Sequence, residues 1–146
     1  MLATPQAMPE FDIRWQQRFE NYCRALEQLE LFFAPPALNP REQQGLVKAF
    51  EYTFELGWNT LRDLLRSRGN SSIQLGSRDA IREAFSAGLL TDGPVWMEMV
   101  RDRNLTSHVY NRSTAEAITA NISNRYLLAF QSLRTRLEAL AAEEGA

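Results

Sequence analysis

The chain has 146 residues, of which 45% are hydrophobic, and its formal net charge is −2. A chain of this length fits one domain, and its apolar content can build a core, which argues against disorder. The slight acidic excess argues against a protein built mainly to coat nucleic acid, although it is compatible with a local basic cleft. No apolar run approaches the roughly 18 residues of a membrane span, and no signal-peptide pattern is present.

Cysteine and histidine, the side chains that most often bind zinc, occur once each. The single cysteine, Cys23, cannot form an internal disulfide, which fits a reducing cytoplasm, and we expect a cytoplasmic protein with no membrane association. With one cysteine and one histidine, a Cys/His zinc site within one chain is excluded. No carboxylate spacing typical of a calcium or magnesium site is present, so we expect no metal and no cofactor.

The N-terminal residues 1–10 contain two prolines and no apolar period, and we expect a flexible lead-in there. A single domain then covers residues 11–141. The first helix is predicted to end at about residue 33, before Pro35 and Pro36, because proline cannot donate the helical hydrogen bond. Its apolar residues recur every three or four positions: Phe11, Trp15, Phe19, Tyr22, Leu26, Leu29 and Phe33.

The second helix has clear start and stop signals. Asn39 is predicted to cap it, Pro40 suits the first turn, and Glu42 completes a capping box. It should run to about Arg68, where Gly69 ends it. Its predicted buried stripe comprises Leu46, Phe50, Phe54, Trp58, Leu61 and Leu65.

A connector, residues 69–77, precedes a short third helix. We expect Ser77 to cap this helix and Gly88 to stop it. Gly93 and Pro94 then open a fourth helix, which carries Trp96 and Val100.

The fourth helix is predicted to end at Asn111–Arg112, and a second capping box, Ser113 with Glu116, to start the last helix. The apolar residues of this last helix keep the helical period: Ile118, Ile122, Tyr126, Phe130, Leu133, Leu137 and Leu140. No segment has the alternation of a strand. The fold class is therefore all-α, an antiparallel four-helix up-and-down bundle with one additional short helix.

The most informative segment is RDRNLTSHVYN, residues 101–111. Arg103 and His108 are separated by four residues, and Tyr110 follows one residue later. This spacing resembles the Arg-x4-His-x-Tyr signature of HEPN domains, a family that favours a polar residue directly after the arginine, here Asn104.

The resemblance extends beyond the signature. The runs AFEYTFELGWNTLRDLL (49–65), AIREAFSAGLL (80–90) and RNLTSHVYN (103–111) look like the nucleotidyltransferase substrate-binding proteins, the HEPN partners of minimal nucleotidyltransferases. The likeness covers about residues 11–140 and implies a HEPN-like helical bundle.

Helical spacing gives a first estimate of the site geometry. Asn104 and His108 are four apart and share a helix face. Arg103 and Tyr110 share a stripe only if the helix continues that far, and His108 and Tyr110 diverge unless it loosens. The short polar side chains Thr106, Ser107 and Asn111 favour such loosening, because they compete for backbone hydrogen bonds.

These residue types suit one kind of chemistry. A histidine can take or give a proton at cellular pH, and an arginine can fork onto two phosphate oxygens. Arg103, His108 and a supporting Asn104 would therefore suit metal-free RNA cleavage, in which the ribose 2′-OH attacks the adjacent phosphate. One histidine supplies either the base or the acid, and a two-fold homodimer would supply a second pair. The resemblance implies the same, because HEPN toxins work as dimers.

The resemblance also implies a separate role for Tyr110. In the branch of the family that carries this tyrosine, the separately encoded nucleotidyltransferase transfers AMP onto it. An adenylyl group beside His108 would add negative charge and bulk, which would fill the cleft and neutralise Arg103. Adenylylation would thus switch the site off.

Two carboxylates on the second helix are further candidates. Glu51 and Glu55 are like charges four residues apart, a pair that costs about 0.2–0.5 kcal/mol. They could hold Arg103, bind a partner or act in acid/base work, and a salt-bridged or solvated face is the simpler interpretation.

Tyr52 and Trp58 indicate core or a dimer interface. Three nearby arginines fit a solvated face, with guidance of RNA as the alternative: Arg62, Arg66 and Arg68.

Two functions remain open. The first is a dimeric, metal-independent endoribonuclease that acts as the toxin of a toxin–antitoxin pair. The second is the non-catalytic substrate-binding subunit of a two-component nucleotidyltransferase. The two are compatible if the substrate of the nucleotidyltransferase is Tyr110 of this chain. A purely structural scaffold would leave the motif unexplained.

Overall fold

The computed structural model describes residues 10–70 and 76–145, and all regular structure in that part of the chain is helical. The predicted lead-in, apart from residue 10, and residues 71–75 of the connector lie outside the described residues. The elements are α1 (Glu10–Leu31), α2 (Pro40–Ser67), α3 (Ser77–Ser86), α4 (Gly93–Leu105), a 3₁₀ turn (Thr106–His108), α5 (Arg112–Asn121), a π turn (Ile122–Tyr126) and α6 (Leu127–Gly145).

The predicted fold class is confirmed. The segment from α5 through the π turn to α6 is continuous and corresponds to the predicted last helix, so residues 10–70 and 76–145 contain four long helices and one short one. α2 is the central helix and contacts α1, α3, α4 and α5, while α6 packs on α1. No helix in the described part of the chain is long and apolar enough to cross a membrane.

The core forms where the apolar stripes meet. Every predicted stripe residue of the last helix is buried, and so are all those of α2 except Trp58, which is half-buried. Aromatic rings fill the centre, where Phe50 stacks on Tyr126 at 5.4 Å and Trp96 meets Phe130 edge-on at 5.5 Å. The helical periodicity therefore identified the residues that hold the helices together.

The helix ends confirm some of the predicted signals. Asn39 and Glu42 form the predicted capping box, with each side chain bonded to the other residue's backbone N–H at 2.8 and 2.9 Å. Gly69 and Gly88 follow α2 and α3 with φ of 89° and 76°, a conformation that favours glycine. These two glycines end their helices as predicted.

Two predicted caps are wrong. Ser77 is the first residue of α3 rather than its cap, and Gly76 occupies the cap position without a side-chain bond. Asn111 caps α5, because its Oδ1 accepts the backbone N–H groups of Ser113 and Thr114. Because Asn111 has the extended backbone of a cap residue, α5 begins at Arg112. Ser113 therefore lies inside the helix and cannot cap it.

The fourth and last helices differ from the prediction in one further respect each. α4 ends at Leu105, about one and a half turns before Asn111, and a 3₁₀ turn follows. The last helix contains a π turn, in which the N–H of Leu127 bonds the carbonyl of Ile122 five residues earlier. The 3₁₀ turn contains His108. The π turn ends at Tyr126, whose hydroxyl bonds Asp102, the residue before Arg103.

Candidate functional site

Arg103 lies in the last turn of α4 and reaches across to α2. Its Nε donates to Glu55 Oε1 at 3.1 Å, and its Nη1 lies 3.8 Å from Glu51 Oε2. Nη1 also donates to the hydroxyl of Thr106 at 3.0 Å. Both carboxylates therefore contact Arg103, one of the arrangements predicted for them.

Arg103 keeps part of its hydrogen-bonding capacity. An arginine has five N–H donors, and the bonds above use Nε and Nη1. Within the described residues, Nη2 donates to no protein acceptor, and the side chain is 34% exposed. The guanidinium is thus oriented by its neighbours and can still bind an incoming phosphate oxygen.

The partners of Arg103 are themselves held in place. Glu55 accepts a second bond, from Trp58 Nε1 at 2.9 Å, through its other oxygen. Glu51 lies 3.5 Å from Lys48 Nζ. Thr106 is buried, and its hydroxyl donates to the backbone carbonyl of Arg103 at 2.8 Å. Half-buried Trp58 therefore orients a site residue.

A groove of about 400 Å³ opens beside these residues. Its side chains carry three cationic groups and two carboxylates, so a phosphate in it would meet mixed charge. The lining residues are Arg18, Lys48, Glu51, Tyr52, Glu55, Leu56, Asn59 and Arg103.

His108 and Tyr110 form a second, separate pair. The imidazole Nδ1 lies 3.2 Å from the Tyr110 hydroxyl, and the two rings meet edge-on at 5.8 Å. Tyr110 is 82% exposed, and His108 is exposed as well. In a continuous helix, two residues this close in sequence would diverge, but α4 has ended and the 3₁₀ turn brings them together. The predicted loosening is present.

Tyr110 also lines a groove of about 420 Å³ between the start of α2 and the start of α5. The groove is part apolar, with Val47 and Val109, and part polar, with Gln43 and Gln44. Its other lining residues are Leu38, Pro40, Arg112, Ala115 and Glu116.

The predicted site residues thus fall into two groups. Arg103 joins Glu51 and Glu55, whereas His108 joins Tyr110, and no hydrogen bond between described residues links the groups. The face predicted to be shared by Asn104 and His108 does not exist as a helix face, because the helix ends between them. Asn104 is exposed and has no side-chain hydrogen bond within the described residues.

A buried carboxylate next to the motif was missed. Asp102 is 3% exposed, and its Oδ2 accepts the Tyr126 hydroxyl at 2.6 Å and Asn121 Nδ2 at 2.8 Å. In an α-helix, residues five apart lie about 140° apart around the axis, so the π turn is what brings Asn121 and Tyr126 to one oxygen.

The same network changes the chemistry of the tyrosine. Burial, together with the hydrogen bond to the carboxylate of Asp102, raises the pKa of Tyr126. One sequence signal could have located Asp102: it follows Trp96 and Met99 at intervals of three, on the buried stripe of α4. An acidic residue on an apolar stripe indicates a buried polar partner.

The basic run of α2 is partly engaged in ion pairs. Arg62 lies over the Trp58 ring at 5.2 Å and 3.8 Å from the buried Asp63, which also accepts a bond from Arg18 at 2.6 Å. Burial lowers the pKa of Arg62. Across the described residues, no group of three or more His, Cys, Asp or Glu side chains is arranged to hold a metal ion.

Comparison with known proteins identifies relatives over most of the chain. The model of a family described as "nucleotidyltransferase substrate binding protein like" matches residues 17–139. A Haemophilus influenzae protein named "Probable ribonuclease HepT" is 30% identical over 83 residues, 55% of this chain. The match spans 57% of that relative's length.

Two solved structures share the fold. A protein from Thermus thermophilus is 30% identical, with a TM-score of 0.68, and the match covers 82% of this chain and 98% of that one. A second, from Haemophilus influenzae, is described as having the fold of a substrate binding domain of a nucleotidyltransferase. It is 24% identical, with a TM-score of 0.63, and the match covers 87% of this chain and 98% of that one. At this identity the second likeness concerns the fold alone.

Proposed function

Because the chain belongs to the nucleotidyltransferase substrate binding protein-like family, we propose that it is a metal-independent endoribonuclease, the toxin partner of a separately encoded minimal nucleotidyltransferase. The relative named as a probable ribonuclease supports this proposal. The observation that carries it is the arrangement of the motif, with an exposed imidazole at His108 and unused Nη2 donors on an oriented Arg103.

The proposed reaction uses side chains of two protomers and the RNA, with no metal ion. The ribose 2′-oxygen forms a bond to the adjacent phosphorus, and the bond from that phosphorus to the 5′-oxygen breaks. Arg103 binds the phosphate oxygens, where negative charge builds up, through Nη2. His108 moves a proton, and a homodimer supplies the second histidine that a complete acid/base pair requires. Asn104 would orient the phosphate from its exposed position.

Adenylylation of Tyr110 is the proposed control of this activity. The phenol oxygen forms a bond to the α-phosphorus of ATP held by the nucleotidyltransferase, and pyrophosphate leaves as the phenol gives up its proton. The exposure of Tyr110 supports access by the partner, and the groove of about 420 Å³ beside it has room for the attached nucleotide. The added phosphate would lie beside His108 and obstruct RNA.

One observation favours the alternative, a non-catalytic subunit that presents a substrate to the nucleotidyltransferase. Arg103 is already paired with two carboxylates, Glu51 and Glu55, and these compete with phosphate for the guanidinium. In that function the contacts of Arg103 would be structural, and the groove beside them would bind a partner.

Incubation of the purified protein with mixed cellular and transfer RNA in the presence of a chelator tests the proposal. We expect the wild type to cleave RNA, leaving cyclic-phosphate ends, and His108→Ala to be inactive. Ser107→Ala is the matched control and should cleave normally, because Ser107 is exposed and, unlike Thr106, its hydroxyl forms no hydrogen bond with a described residue. Absence of cleavage by folded wild-type protein, shown by intact mass to carry no AMP, would overturn the nuclease proposal. A stable complex between that inactive protein and its nucleotidyltransferase would then support the alternative.

A further inference from the structure

The proposed RNA cleavage does not require the contact between His108 and the hydroxyl of Tyr110. Tyr110 is highly exposed, yet its hydroxyl lies 3.2 Å from an imidazole nitrogen. No other side chain in the described residues forms a hydrogen bond to that hydroxyl. An exposed tyrosine is ordinarily a weak nucleophile, and a base within hydrogen-bond distance is the usual way to activate one.

We propose that His108 is the general base for the modification of Tyr110, so that this chain supplies the catalytic residue that activates its own acceptor oxygen. This inference rests on the proposed adenylylation of Tyr110. In the neutral imidazole with its proton on Nε2, Nδ1 accepts the hydrogen bond of the phenol. As the phenol oxygen bonds to the α-phosphorus of ATP and pyrophosphate leaves, the phenol proton passes to Nδ1 and from there to water.

The geometry fits this assignment in two ways. The edge-on contact of the rings, at 5.8 Å between centroids, places the imidazole at the hydroxyl rather than over the face of the phenol. Tyr110 is also 82% exposed, so an electrophile can approach its side chain from solvent.

The assignment has a consequence for control. The adenylylated oxygen has no proton to donate, so modification ends the hydrogen bond that the phenol donates to Nδ1. The histidine that the nuclease needs is therefore the group that assists the modification of Tyr110, and a protein that lacks a competent His108 would be neither an active nuclease nor a good acceptor.

The nucleophilicity of Tyr110 can be measured on the protein alone, without RNA or a nucleotidyltransferase. The probe is 4-(fluorosulfonyl)benzoic acid, which forms a sulfur–oxygen bond to tyrosine with loss of fluoride. Peptide mass spectrometry gives the labelling rate at each tyrosine. Tyr52, 38% exposed and without a histidine contact in the described residues, is the internal reference.

We expect Tyr110 to be labelled at least tenfold faster than Tyr52. General base catalysis commonly gives about 100-fold or more, so a tenfold difference is a low threshold. His108→Ala should reduce the Tyr110 rate about tenfold or more relative to the wild type, and added imidazole should restore part of it. Ser107→Ala should change neither rate, and an unchanged Tyr52 rate indicates that a variant is folded.

Equal labelling of Tyr110 in the wild type and in His108→Ala would overturn the inference, whether or not the protein cleaves RNA. A lack of response to imidazole in His108→Ala would also count against a proton-transfer role. Absence of RNA cleavage or of adenylylation would overturn the proposed function without changing the labelling result, so the two failures are distinguishable.

Discussion

The hydroxyl of Tyr126 donates a 2.6 Å hydrogen bond to the buried carboxylate of Asp102, the residue directly before Arg103. This bond joins the end of α4 to the π turn that precedes α6. It fixes the position of the turn of α4 from which Arg103 projects, and so it connects the core of the bundle to the candidate site.

Removal of this hydroxyl should destabilise the protein. In Tyr126→Phe, the carboxylate of Asp102 keeps its bond from Asn121 but loses the shorter one. We expect the free energy of unfolding in urea to fall by about 1.5–3 kcal/mol, the range for a hydrogen bond to a charged group. The exposed Tyr52→Phe should change it by less than about 0.5 kcal/mol. Equal effects of the two variants would contradict this interpretation.

Stability should also fall at alkaline pH. The pKa of Tyr126 is raised in the folded protein by burial and by its bond to Asp102, and burial raises the pKa of Tyr22. Since an unfolded tyrosine has a pKa of about 10, the unfolded chain releases these protons first. The stability from each tyrosine is complete below pH about 10 and is lost as pH rises above it, by about 1.4 kcal/mol per pH unit.

Urea unfolding between pH 8 and 11 measures this dependence. Tyr126→Phe should reduce the slope above pH 10 by up to about 1.4 kcal/mol per pH unit, because it removes one of the titrating groups. Burial also raises the pKa of the Cys23 thiol, and because Cys23 is present in every variant its contribution cancels. A slope identical to that of the wild type would show that Tyr126 does not titrate as described.

Gly57 lies where the core leaves little space for a side chain. A Cβ there would lie 3.1 Å from the Trp96 ring and 3.2 Å from the Tyr22 ring, both fully buried. We expect Gly57→Ala to lower the free energy of unfolding by up to about 2 kcal/mol, because overpacking costs about 1–3 kcal/mol and the gain in helix propensity offsets only about 1 kcal/mol of it. Thermal or urea unfolding measures the change.

Gly45→Ala, in the same helix, is the matched control. Its Cβ would approach only the outer edge of the Phe32 ring at 3.0 Å, and Phe32 is half-buried just after the end of α1. That ring can move, so we expect Gly45→Ala to be neutral or stabilising by up to about 1 kcal/mol. If both variants lose the same stability, close packing at Gly57 is not the cause.

Glu55 should matter more than Glu51 for the proposed cleavage. Glu55 bonds Arg103 Nε directly at 3.1 Å, whereas Glu51 lies 3.8 Å from Nη1 and also neighbours Lys48. We expect Glu55→Ala to slow RNA cleavage about tenfold or more, because a misoriented guanidinium stabilises the transition state poorly. Glu51→Ala should have a smaller effect. Faster cleavage by Glu55→Ala would mean that the carboxylate restrains Arg103 rather than orients it.

The local features of this fold could be predicted from the sequence. Apolar residues three or four positions apart identified the helices and their buried stripes, and Asn39 with Glu42 located the start of α2. The motif spacing selected Arg103, His108 and Tyr110 as candidates. The helix predictions succeed because helix formation, capping and amphipathicity depend on residues within a few positions of one another, whereas the three motif residues stay a prediction.

The tertiary structure decided which of those residues meet. Arg103 contacts Glu55, 48 residues earlier, only because α4 packs against α2. Asp102 accepts the hydrogen bond of Tyr126 only because the π turn rotates that hydroxyl inward. The pairing of His108 with Tyr110 depends on the end of α4 at Leu105, which the helical period did not indicate. Contacts between distant residues follow from how the helices pack, and periodicity along one helix carries no information about its neighbour's register.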